Sequence, residues 1–186
     1  MSNRIQEQYS PVAKFFHWIT VLLIIAQCTI GWTMPDVDDL QSPEGLVSLH
    51  ISVGLLILLV MLARLVWRLI SPAPKPLHTR VTLTVIAAKF VHGGLYLLLA
   101  ISPILGWMNA AERGWNLSFF GLMQLPVIFP ANSDLLATIG DWHIASVWAL
   151  LSLIGLHVCA ALYHQIILKD GDLPPNLVRE RLGVCG

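Results

Sequence analysis

The sequence predicts an all-α fold, an integral membrane four-helix bundle with both termini in the cytoplasm, and three observations predict it. Hydrophobic residues make up 56% of the chain, charged residues only 12%, and the mean hydropathy is +0.71; ordinary soluble domains carry about 25% charged residues. Four apolar stretches, about 14–33, 46–69, 83–108 and 142–168, each reach the roughly 20 residues a helix needs to cross the hydrocarbon core. The basic residues, finally, fall almost entirely on one side of those stretches.

The first stretch carries His17 and Gln27 and is followed by no small-residue cleavage site, so it reads as a retained helix rather than a signal peptide. The second contains His50, Arg64 and Arg68. A proline-rich segment, 71–76, makes a stiff link to the third, which holds Lys89 and His92. One long loop, 109–141, carries Trp115, Phe119 and Phe120, aromatic residues of the kind that favour the membrane interface. Asn132 or Ser133 is placed to cap the fourth helix. That helix carries His143, His157 and His164, and a tail of about 169–186 follows it. The whole of 1–186 reads as a single membrane domain, without internal repeats.

Cytoplasmic loops retain lysine and arginine. Ten of the eleven lie at the start of the chain, around the second loop or in the tail, which places both termini on the cytoplasmic side. The opposite side holds Asp36, Asp38, Asp39, Glu44, Glu112, Asp134 and Asp141, with Arg113 as its single base. It is the periplasmic face if the membrane is a bacterial inner membrane. A formal net charge of zero gives no basic stripe for nucleic acid. Cys28, Cys159 and Cys185 form no C-x-x-C pair, which argues against a disulfide framework, a zinc or iron–sulfur site and covalently attached c-type haem.

The chemistry lies in the histidines. Ionisable groups inside a membrane bundle are costly and mark function by default, and six of the seven histidines fall in or at the ends of the helices. His78, in the second loop, has no assigned role. His143 and His157 are 14 residues apart, close to four helical turns, so both occupy one face about 21 Å apart in height. One helix can thus serve two stacked sites. The same interval links His17 to Gly31, His50 to Arg64 and His92 to Gly106. Gly31, Gly54, Gly93, Gly94, Gly106 and Gly155 suit either close approach of a flat macrocycle or plain helix packing.

An iron with two axial histidines needs them on facing helices at one depth. His50 and His143 each open a helix from the acidic side and pair well. His17, counted from the acidic rim, matches His157; counted from the other rim, it matches His164. Depth alone leaves both open.

The segments Phe16-His17-Trp18, Leu49-His50 through Gly54, Arg64 through Arg68, Asp141-Trp142-His143 and Gly155-Leu156-His157 through Tyr163-His164 resemble the prokaryotic cytochrome b561 family, over nearly the whole chain. The resemblance implies a single-subunit dihaem b-type cytochrome of the inner membrane, with His17 and His157 holding the cytoplasmic-side haem and His50 and His143 the periplasmic-side one. It also implies ubiquinone as substrate or bound cofactor. His92 and His164, left without a haem, together with nearby Lys89, then read as a quinone site; bonds to haem propionates or backbone carbonyls are the plainer alternative. Arg64 suits a haem propionate or snorkelling to lipid headgroups.

Two bis-histidine haems leave no open coordination position, so electron transfer is the expected function. The resemblance further suggests superoxide:ubiquinone oxidoreductase activity, with Arg113 as a superoxide contact. The acidic segment Pro35 to Asp39 departs from that expectation, since its field repels an anion. The second expectation is a relay or membrane anchor that docks a periplasmic redox protein, a cytochrome or hydrogenase-type partner, through that acidic face. The sequence does not fix an oligomeric state.

Overall fold

The computed structural model describes residues 10–37, 42–71, 83–126 and 138–168. It has four long helices, α1 (Pro11–Thr33), α2 (Gly45–Ile70), α3 (Leu83–Glu112) and α4 (Ile139–Leu162). All four are long and apolar enough to cross a membrane. The all-α membrane fold expected from the sequence is therefore present, with one small addition, a two-stranded hairpin of β1 (Ser118–Phe119) and β2 (Met123–Gln124).

Local chemistry explains the helix ends. Ser10 caps α1 by accepting from the Ala13 N–H at 3.2 Å, and Pro11 opens the helix where no N–H partner is needed. Gly45 begins α2 at a φ of +51°, a conformation suited to glycine, and Arg68 in its last turn favours the negative end of the helix dipole. α4 starts three residues earlier than the hydropathy indicated, with Thr138 at the cap position and Asp141 in the first turn. Thr138 makes no side-chain cap bond. Asn132 and Ser133, the expected caps, lie outside the described residues, as do the proline-rich link from residue 72, His78, Cys185 and the tail from 169. After Leu162 the chain passes into a π-helical turn, Tyr163–Leu168.

Each helix packs on the next in sequence, α1 on α2, α2 on α3 and α3 on α4. α2 is the central element and contributes Val53, Ile57, Leu58 and Met61 to a mid-bundle core completed by Leu99 and Leu150. A second cluster, at the end where α2 and α4 begin, joins Val47, Ala110, Trp115 and Leu117. Trp115 is 7% exposed there, so it is a core residue of this end rather than an interfacial ring. Large apolar side chains such as Phe15, Trp18, Trp32, Leu69, Phe90 and Trp148 face outward, as expected where lipid is the solvent.

The hairpin is anchored by Ser52 of α2, which is 1% exposed. Its hydroxyl accepts from the Phe120 N–H at 3.0 Å and lies 2.9 Å from the Ser48 carbonyl and 3.3 Å from the Ser118 carbonyl. Phe120 has a φ of 49°, a left-handed conformation that few residues of its bulk adopt. The Ser52 contact holds it there, with the turn closed by Leu122 N–H to the Phe119 carbonyl at 2.9 Å. The hairpin thus sits two residues along α2 from His50.

Candidate functional site

His50 lies in the second turn of α2 and His143 in the second turn of α4, and the bundle brings their rings to a centroid separation of 6.4 Å with planes at 88°. Two imidazoles sharing one metal at about 2.0 Å per metal–nitrogen bond have ring centres roughly 6 Å apart. The observed separation fits an iron between them. Both rings line a cavity of about 720 Å³, together with Gln27, Gly54 and Gly106, a volume within the roughly 300–1,000 Å³ of cofactor pockets.

The ring hydrogen bond of His143 sets its tautomer. Its Nδ1 lies 2.9 Å from the carbonyl of Ser102. A carbonyl only accepts, so the proton sits on Nδ1 and the Nε2 lone pair is free for a metal. Histidine ligands are commonly oriented in this way. Ser102 is itself held, since its hydroxyl meets that of Ser146 at 2.9 Å and Ser146 reaches back to the His143 carbonyl at 2.7 Å.

Two glycines make this arrangement possible. A Cβ at Gly106 would stand 3.1 Å from His143 Cε1, and one at Gly31 would stand 3.2 Å from His50 Cε1. Gly31 and Gly106 therefore make room for imidazoles of the facing helices. A Cβ at Gly94 would press on Leu153 and one at Gly54 on the amide of Gln27, whereas one at Gly93 or Gly155 would meet no neighbour within 4 Å among the described residues.

The opposite end gathers the remaining described histidines. His92 and His157 are in ring contact, with centroids 5.3 Å apart and planes at 66°. His17 lies within electrostatic reach of Arg64, His157 and His92, and Arg64 turns inward over the Tyr96 ring at 5.4 Å. So the structure brings His17, His92, His157 and Arg64 to one end of the bundle. His164 sits in the π-helical turn with its ring against Tyr163. Lys89 is exposed on the outer surface of α3.

Arg113 lines the same cavity as His50 and His143. Its guanidinium donates to the Val37 carbonyl at 3.2 Å and lies over Trp115 at 5.5 Å. Asp36, Glu112 and Asp141 line the cavity beside it, so the rim is acidic on balance.

Sequence reasoning missed Gln27, Ser102 and Ser146 as site residues. Gln27 offered a signal, a polar side chain deep in an apolar stretch one turn from Gly31. Ser102 offered none, because its part is played by a main-chain carbonyl.

An all-helical membrane bundle that brings histidines of different helices together at both ends suits a haem-binding electron carrier. A sequence model of the prokaryotic cytochrome b561 family matches residues 8–175. The chain is 30% identical over 172 residues to "Cytochrome b561 homolog 2" of Escherichia coli (strain K12), covering 90% of this chain and 89% of that protein. It is 30% identical over 179 residues to "Probable superoxide oxidase CybB" of Yersinia pestis, covering 94% and 98%. It is 28% identical over 186 residues to "Cytochrome b561 homolog 1" of Escherichia coli (strain K12), covering 94% and 99%. The chain belongs to the prokaryotic cytochrome b561 family, and is a multi-pass bacterial membrane protein of haem-dependent electron transfer.

Proposed function

We propose that this chain is a dihaem b-type cytochrome that passes electrons across the bacterial inner membrane to or from ubiquinone. The observation that carries the proposal is the His50–His143 pair, spaced for one metal, with His143 oriented by the Ser102 carbonyl. His50 and His143 hold the periplasmic-side haem, and His17 and His157 the cytoplasmic-side one. When bound, each haem supplies a one-electron ferric/ferrous couple. Two histidines would hold each haem, which would keep other ligands away and suit the site to electron transfer.

His92 is the residue best placed to meet quinone. It is exposed on the bundle surface and touches His157, so a hydrophobic carrier arriving through the bilayer finds an imidazole donor beside the cytoplasmic-side site. His164 and Lys89 would extend that site, and Arg64, turned inward over Tyr96, would pair with a propionate.

For the outer donor, the name of the Yersinia relative supports superoxide, with Arg113 on the cavity rim as its contact. The carboxylates of Asp36, Glu112 and Asp141 on the same rim favour a second reading, a docked basic redox protein. Stopped-flow mixing of the purified protein with a superoxide pulse, and separately with quinol, tests the two. Rapid haem reduction by superoxide supports the oxidase, whereas reduction by quinol alone removes it and leaves the relay.

A further inference from the structure

The two imidazoles of the His50 end are not equally satisfied. His143 Nδ1 bonds the Ser102 carbonyl. His50 Nδ1 is buried without a hydrogen-bond partner among the described residues, and so is the side-chain oxygen of Gln27. The two orphans belong to residues already in contact, for Gln27 Nε2 donates to the His50 main-chain carbonyl at 3.0 Å and lies 3.1 Å from His50 Nε2. With Nε2 accepting from the amide, the ring proton is on Nδ1. The pair therefore contains one buried donor lacking an acceptor and one buried acceptor lacking a donor. Each such orphan is costly to bury.

Four further features favour a bond between them. The Nδ1 edge of His50 faces α1 at Gly31, where an added Cβ would come within 3.5 Å of Nδ1. Gln27 lies one turn away on the same stripe of α1. Gly54 leaves its amide room to turn, since a Cβ there would stand 3.1 Å from Gln27 Nε2. Finally, iron and the Gln27 amide compete for the same lone pair on His50 Nε2.

We propose that Gln27 is a positioning residue for His50. With iron on Nε2, the amide turns so that its oxygen accepts from His50 Nδ1–H, giving His50 the orienting acceptor that Ser102 gives His143. This rests on the assignment of His50 as a haem ligand. An acceptor on Nδ1–H makes the ring a more basic ligand, which favours ferric iron and lowers the reduction potential of that one haem.

The test is a redox titration of the purified holoprotein and its Gln27→Leu, Gln27→Glu and His50→Ala variants, with haem content measured on each. Gln27→Leu is expected to raise the midpoint of one haem by about tenfold in the ferric/ferrous equilibrium, ~59 mV for a one-electron couple, leaving the other haem unmoved. Gln27→Glu, which keeps an acceptor, restores or lowers it. Unchanged midpoints in a fully loaded Gln27→Leu protein overturn the proposal and assign the acceptor to a main-chain carbonyl. Should Gln27→Leu fail to hold haem, reloading in Gln27→Glu upholds the proposal and equal failure there overturns it. If His50→Ala retains both haems, the ligand assignment itself falls.

Discussion

At the scale of single residues, the site depends on room as much as on ligands. His143 can bond the Ser102 carbonyl only because Gly106 lacks a side chain, so Gly106→Ala pushes a methyl to 3.1 Å from Cε1 and 3.3 Å from Nδ1. We expect that variant to lose the Nδ1 bond and bind haem at that end about 10–100-fold more weakly, the usual effect of losing an orienting partner. Absorbance titration with haemin measures it, and unaltered affinity would contradict the steric account. The histidines were legible in the sequence because an ionisable group in a membrane helix is conspicuous. The partner of His143 was not, since a carbonyl has no sequence signature.

At the scale of elements, the spans were legible and their ends less so. α3 continues to Glu112 and α4 starts at Ile139, because Asn109, Glu112, Gly140 and Asp141 extend the helices past the apolar stretch that hydropathy detects. Pro103 lies inside α3, immediately after Ser102, and its missing N–H removes a helix hydrogen bond beside the carbonyl that orients His143. The hairpin was hidden in what read as an irregular loop. Its tether is Ser52, so Ser52→Ala should weaken the docking of residues 118–124 by about 1–3 kcal/mol, because the Phe120 N–H is then left without its acceptor. Hydrogen exchange is the check, with faster exchange at Phe120 and the paired strands expected while the four helices are unaffected. Equal protection in the variant would mean that the apolar cluster around Trp115 suffices.

The pairing of His92 with His157 could not be read from spacing, because it depends on how α3 and α4 cross. The π-helical turn that begins at Tyr163 was likewise not legible, because hydrophobic periodicity does not report local winding.

At the scale of the whole molecule, composition alone marked a membrane protein, and the charge asymmetry set the orientation we propose. The acidic rim makes a definite statement about the outer donor. If a basic protein docks there, its rate of haem reduction should fall steeply as salt rises from low to physiological ionic strength. A superoxide anion approaching the same carboxylates gains from screening and should show a flat or rising rate. Arg113→Ala separates the cases further, lowering the rate with superoxide and leaving or raising it with a basic donor. Stopped-flow reduction across a salt series reads both.

The central claim is that paired histidines at the two ends of one bundle each hold a haem b. Haem quantitation of the purified wild-type protein and the His143→Ala variant, with the reduced b-type absorbance band recorded for each, tests it most directly. The account predicts two haems per chain in the wild type and one in the variant. A wild-type protein without the band, or a variant that retains both haems, would contradict it.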